Sequence, residues 1–275
     1  MNKENKHIEK GVRLFIFFIL LILGNTRLYA QSTIRSLDTL RVLNQTAFGV
    51  GERLVYDVGY SFIIAGEAVF SIPQIQTVSE RECYQILFSV VSTPTFSLLY
   101  KVDDRYETMV DKKGIFPLRY TQRIREGRYS NDFAAEFDQL NCIAKTKDGS
   151  YKTPPYVYDA VSALYFVRTL DFSQKRPGEK IYLKNFYKDS TYQLAVKFLG
   201  YQQVDVDAGT FNCLLVEPLM KEGGLFKSEG RIIIWMTNDE RKIPVKVSSK
   251  VVIGSIDAEL REYSGINGPI KSKVE

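Results

Sequence analysis

Histidine is almost missing from these 275 residues: the only one is His7. Once the first thirty residues are removed, no imidazole is left. That excludes histidine-based nucleophilic triads, histidine-ligated metals and a pH switch near neutrality. Cysteine is sparse as well. Cys83, Cys142 and Cys213 show no C-x-x-C spacing, and each falls in strand-like sequence. They fit either one disulfide with a thiol left over or three buried thiols acting as small apolar side chains. There is no Gly-x-Ser-x-Gly elbow, no Ser-x-x-Lys after residue 30 and no acidic repeat with calcium-loop spacing. Catalytic residues, metal ligands and cofactor sites are therefore all expected to be none. A long apolar run is lacking too, since the ten residues from Leu14 to Leu23 are about half of the roughly 20 that span a membrane.

That short run has basic residues before it, Lys3, Lys6, Lys10 and Arg13, and small or polar residues after it, Gly24 to Ala30. This is the three-part layout of a secretory signal, so residues 1–30 read as a signal peptide cut near Ala30, and the protein reads as exported. The charge balance shifts accordingly. The whole chain has 37 basic and 32 acidic residues, a net of +5; without the leader's five basic and two acidic residues the net falls to +2. Such a balance is no footprint for nucleic acid or for an anionic membrane, either of which needs Lys and Arg clustered on one face.

Beyond the leader, residues 31–50 are polar and aperiodic and read as an N-terminal arm. Period-two alternation then dominates. Ile256, Ala258 and Leu260 face one way while Asp257, Glu259 and Arg261 face the other, and Tyr192, Leu194, Val196 and Phe198 alternate in the same manner. Turn signals at Asp111-Lys112-Lys113-Gly114, Lys147-Asp148-Gly149 and Asn238-Asp239-Glu240-Arg241 separate such runs. One stretch differs. After Pro154-Pro155, residues 158–170 hold only Asp159, Ser162, Arg168 and Thr169 as strongly polar positions, and Asp159 is placed to cap a first helical turn. A helix apolar nearly all round must be covered by something large, and here only sheet is available. The expectation is a mainly β fold: a curved antiparallel sheet or open half-barrel wrapped around one buried central helix. It forms a single domain over residues 51–265, with a tail at 266–275.

Candidate ligand contacts are few. In Lys101 to Glu107, Asp103, Arg105 and Glu107 share one strand face, an ordinary set of solvated ion pairs, whereas Asp104 and Tyr106 lie on the other. An acid pair of the glycosidase kind is the functional alternative there. Tyr106 offers an apolar body with a polar tip, Asp104 a candidate inward carboxylate, and Tyr165 an aromatic position on the helix. Leu225 and Phe226 follow Gly223-Gly224 and suit a lid or lipid-touching tip, or equally a loop folded onto its own core.

Several stretches resemble the exported family catalogued as domain of unknown function 3108: Gly51 to Val58 with Ala65 to Ala68, Asp159 to Tyr165, Ala208 to Cys213, Trp235 to Asp239, and Ile243 to Val245. The resemblance implies a β protein of the Gram-negative periplasm or cell envelope and supplies no catalytic residue. Three functions remain in view. The first is a non-enzymatic binding module for a lipid or other amphipathic ligand. The second is an assembly partner that meets another envelope protein through a sheet edge. The third is a carboxylate-based glycan hydrolase.

Overall fold

In a computed structural model, residues 40–60, 63–220, 231–250 and 255–274 are described, all within the unit Leu40–Glu275. The signal peptide, the first part of the arm, and Leu225 and Phe226 lie outside the described residues.

Alternating sequence becomes strand almost throughout. The N-terminal half supplies β1 (Arg53–Tyr60), β2 (Ile63–Val78), β3 (Arg81–Ser92), β4 (Asp103–Asp111), β5 (Pro117–Glu126), β6 (Tyr129–Asp138), β7 (Ile143–Thr146) and β8 (Gly149–Lys152). The second half supplies β9 (Val157–Tyr158), β10 (Lys180–Tyr187), β11 (Ser190–Val206), β12 (Gly209–Met220), β13 (Ile232–Thr237), β14 (Pro244–Lys250), β15 (Ser255–Ser264) and β16 (Lys273–Val274). These strands form one large open sheet in the order β8-β7-β6-β5-β4-β3-β2-β1-β15-β14-β13-β12-β11-β10-β9, with β16 pairing β12. Pairing is antiparallel except between β9 and β10. Each expected turn joins neighbouring strands: β4 to β5 after Asp111, β7 to β8 at Asp148, and β13 to β14 at Asn238 to Arg241. The two halves of the chain meet where β1 pairs β15, with Tyr56 opposite Leu260.

Among the described residues, two short helices interrupt the strands. α1 (Pro94–Ser97) caps the turn from β3 to β4, and α2 (Ala160–Arg168) follows β9. α2 is two residues shorter at each end than the 158–170 span expected from composition, because Tyr158 bridges Asn185 in β10 and Thr169 closes the last turn as C-cap. Asp159 is its N-cap: Oδ1 accepts from Val161 N and Ser162 N, both at 2.9 Å, and Ser162 Oγ accepts from Asp159 N at 3.0 Å. This is the reciprocal arrangement of a capping box, built from Asp and Ser. Val161, Ser162, Ala163, Tyr165, Val167 and Arg168 are buried.

Side chains join strands that the ladder keeps far apart. Phe137 on β6 meets Phe186 on β10 edge-on at 5.9 Å, Phe133 meets Tyr187 at 5.2 Å, and Asn131 Nδ2 donates to Tyr187 Oη at 3.1 Å. One apolar cluster contains Cys83, Met109, Ala163, Val167, Leu194, Val216 and Met236, residues from both halves and from α2. The arm contributes as well, with Ala47 and Phe48 buried in a second cluster with Tyr165.

Candidate functional site

The inward face of the first four strands carries a row of aromatic rings. Phe70, Phe88 and Tyr106 are register partners on β2, β3 and β4. Phe70 stacks on Phe88 at 4.0 Å, Phe88 on Tyr106 at 5.4 Å, and Tyr56 meets Phe70 edge-on at 6.2 Å. Aromatic residues suit strands because the flat ring packs on a pleated surface.

Between this row, α2 and the strands of the second half lies a cavity of about 300 Å³. Tyr56, Ala68, Phe70, Phe88 and Tyr106 form one wall, Ala160, Val161 and Leu164 of α2 another. The far wall is Pro218, Ile232, Ile234, Pro244, Val247, Ser249 and Ala258. Ser249 and the tyrosine hydroxyls are the polar side-chain groups in this set, and Tyr56 Oη is engaged, donating to Pro244 O at 2.8 Å. Burial pushes the Tyr56 and Tyr106 hydroxyls well above the ordinary tyrosine range, so both are neutral at physiological pH. A smaller space of about 80 Å³ on the other side of Leu164 shares Ala160, Leu164, Pro218 and Ile234 with the first and adds Ala163, Val167, Leu194 and Val196.

The structure brings together only some of the residues singled out from sequence. Tyr106 lines the cavity. Asp104, two residues away, is buried, yet it points its Oδ1 at Arg125 N (2.8 Å) and shares a hydrogen bond with the Glu126 carboxyl. Burial raises both acids above the ordinary carboxylate range, and for Glu126 the nearby Asp104 adds to the effect. Tyr165 is buried below the cavity. It stands edge-on to Phe48 at 4.8 Å, beneath the Arg168 guanidinium, with its hydroxyl donating to Glu52 Oε1 at 3.2 Å. Asp103 is bonded to Arg105 at 3.0 Å and lies 3.5 Å from Arg123.

Sequence reasoning passed over the most deeply buried ion pair among the described residues. Glu52 and Arg168 form a two-pronged ion pair, 2.6 and 2.7 Å, with each side chain 1% exposed. Arg168 also donates to Ala47 O at 3.1 Å and Arg241 O at 3.2 Å. The signal was present: an arginine on an otherwise apolar helix needs a carboxylate partner. Which carboxylate, 116 positions away, was not visible in the chain.

The thiols are ordinary. All three cysteines are free, and burial pushes Cys83 and Cys213 up to about 12, which leaves them unreactive near neutral pH. Among the described residues no cluster of metal-ligating side chains occurs, and no helix is long and apolar enough to cross a membrane.

What the fold and interior define is a large open β-sheet protein with an apolar cavity. The chain belongs to the family described as protein of unknown function DUF3108, which matches residues 55–261. Among solved structures it is similar to a beta-barrel-like protein of domain of unknown function DUF1849 from Brucella abortus. That likeness has a TM-score of 0.52 at 10% identity and covers 82% of this chain and 99% of that one. It is a likeness of fold alone. A protein from Bacteroides fragilis described as exported, with a YmcC-like fold, overlaps at 13% identity and TM-score 0.33, covering 82% of this chain and 100% of that one. A hypothetical protein from Chlamydia trachomatis does so at 12% identity and TM-score 0.36, covering 82% and 92%. No curated protein matches.

Proposed function

We propose that this protein is an exported envelope protein whose sheet forms a half-barrel around α2, and that the cavity inside it holds the hydrocarbon part of a lipid or other amphiphile. One observation carries the reading: about 300 Å³ of space walled almost wholly by apolar and aromatic side chains. An apolar cavity of about 150 Å³ takes up benzene, and ligand sites begin near 300 Å³. A short acyl chain matches that size and that chemistry. Ser249 and the Tyr106 hydroxyl supply what few polar contacts a head group or ester would meet.

Strand addition to a partner has less to work with, because the two ends of the sheet, β8 and β9, are four and two residues long. The acid pair Asp104–Glu126 favours proton sharing, but neither residue lines the cavity.

Native mass spectrometry and solvent extraction of the exported protein test the reading, together with titration of a fluorescent fatty acid. Ala258→Phe fills the cavity from β15 and is expected to weaken the probe about tenfold or more. A wild-type protein that neither retains lipid nor takes up the probe would sink the proposal.

A further inference from the structure

The cavity's far wall runs along β14 from Pro244 at its start and reaches one end of the sheet, where Ile232 begins β13 and Ser249 stands one residue from the end of β14. At that same end the turn from β3 to β4 exposes apolar side chains. Leu98 and Leu99 are 86% and 85% exposed, the most exposed large apolar residues described. Ile63 and Ile64, at the adjoining start of β2, and Tyr100 and Tyr129 are exposed as well.

The turn is built rather than loose. Thr93 caps α1 through Phe96 N, Ser92 Oγ lies 2.6 Å from Ser97 Oγ and accepts from Val102 N at 2.9 Å. Thr93 N donates to Ala65 O and Gly127 N to Lys101 O, both at 2.8 Å. The ring of Tyr100 lies over Gly127, where a Cβ would come within 2.8 Å of it. With its backbone bonded in this way the turn holds two leucines in water, an arrangement that isolated surface leucines do not require.

We propose that this rim docks the protein on a phospholipid bilayer, with Leu98 and Leu99 entering the hydrocarbon boundary at the end of the sheet that the cavity wall reaches. The inference rests on the lipid-binding reading above and names the source of the ligand. Three features favour a bilayer over a protein surface. The apolar tip is a two-residue knuckle at the end of the sheet that carries the cavity. Tyr100 and Tyr129 flank it, as amphipathic rings do at a membrane interface. Lys101 and Arg128 stand beside the tyrosines, both exposed, and among the described residues no carboxylate forms an ion pair with either. Of the acids nearby, Asp103 is paired with Arg105 and Arg123 and Asp132 with Arg125 at 2.6 Å, while Asp104 and Glu126 face each other with both carboxyls raised above the ordinary range. The cations are thus left to meet anionic head groups.

Flotation with vesicles tests this, using the exported protein and two compositions, phosphatidylcholine alone and phosphatidylethanolamine with phosphatidylglycerol. Wild type is expected to float with both, more with the anionic mixture. Leu98→Asp with Leu99→Asp should lower partition about tenfold or more on both, while circular dichroism and fatty-acid binding without vesicles stay unchanged. Lys101→Glu with Arg128→Glu should weaken flotation on the anionic vesicles only. Wild type staying at the bottom of the gradient, or the leucine variant floating as wild type does, overturns the proposal. The two readings fail separately. Leucine-dependent flotation without fatty-acid uptake removes the cavity reading and keeps the docking; uptake without flotation does the reverse.

Discussion

Asp104 and Tyr106 stand two residues apart on the same face of β4 and serve different surroundings. Tyr106 extends the aromatic row into the cavity, whereas Asp104 turns to Arg125 N and to Glu126. Two carboxyls that share a site and are partly withdrawn from water hold a proton more tightly than free ones. Both are raised in the folded protein, so their contribution to stability is full below the ordinary carboxylate range, near about 4, and is lost as pH rises through the raised values. Asp104→Asn keeps an oxygen for Arg125 N and removes one acid. Urea midpoints measured from mildly acidic to neutral pH should fall less steeply in the variant than in wild type. Parallel curves would show that the acids are not coupled.

At the level of elements, the strands were legible and the helix partly so. Alternation marked β11 and β15, and Asp-Gly and Asn-Asp turns marked their kind of junction, because period two and turn chemistry are local properties of a chain. Residues 158–170 showed a helix and its cap for the same reason. What holds that helix is not local. At its start Asp159 Oδ2 accepts from Thr108 Oγ1 of β4 at 2.8 Å, and at its end Arg168 is paired with Glu52, just before β1. Removing one partner of a buried pair leaves a bare charge, whereas replacing both by apolar groups does not. Arg168→Met is therefore expected to cost about 3–5 kcal/mol, and Glu52→Leu with Arg168→Met to recover a good part of it. Chemical denaturation of the two singles and the double decides the matter; additive losses would mean that the pair does not act as a unit.

On the scale of the whole molecule, the ladder is open, but rings bridge strands near its two ends. Phe186 is the centre of that seam. It is 1% exposed and packs against Phe137 of β6 and Tyr151 of β8, at 5.9 and 6.0 Å. Its loss removes contacts that no backbone pairing replaces. Phe186→Ala should cost roughly 3–5 kcal/mol and speed proteolysis of the described core, and a protein as resistant as wild type would argue that the seam is incidental.

Composition and short-range pattern by themselves settled the material of this protein: strands, turns and the capped helix that follows Pro154-Pro155. Tertiary structure alone decided which faces meet. Tyr106 was a candidate from its own chemistry, but Phe70, Phe88 and Ile234 became cavity walls only through register and through the return of β13 to α2. Tyr165, equally aromatic, was taken up by Glu52 and Phe48. The reason is physical: periodicity is set between neighbours a few residues apart, while a cavity is the space left among side chains distant in sequence, and its position depends on every strand pairing between them.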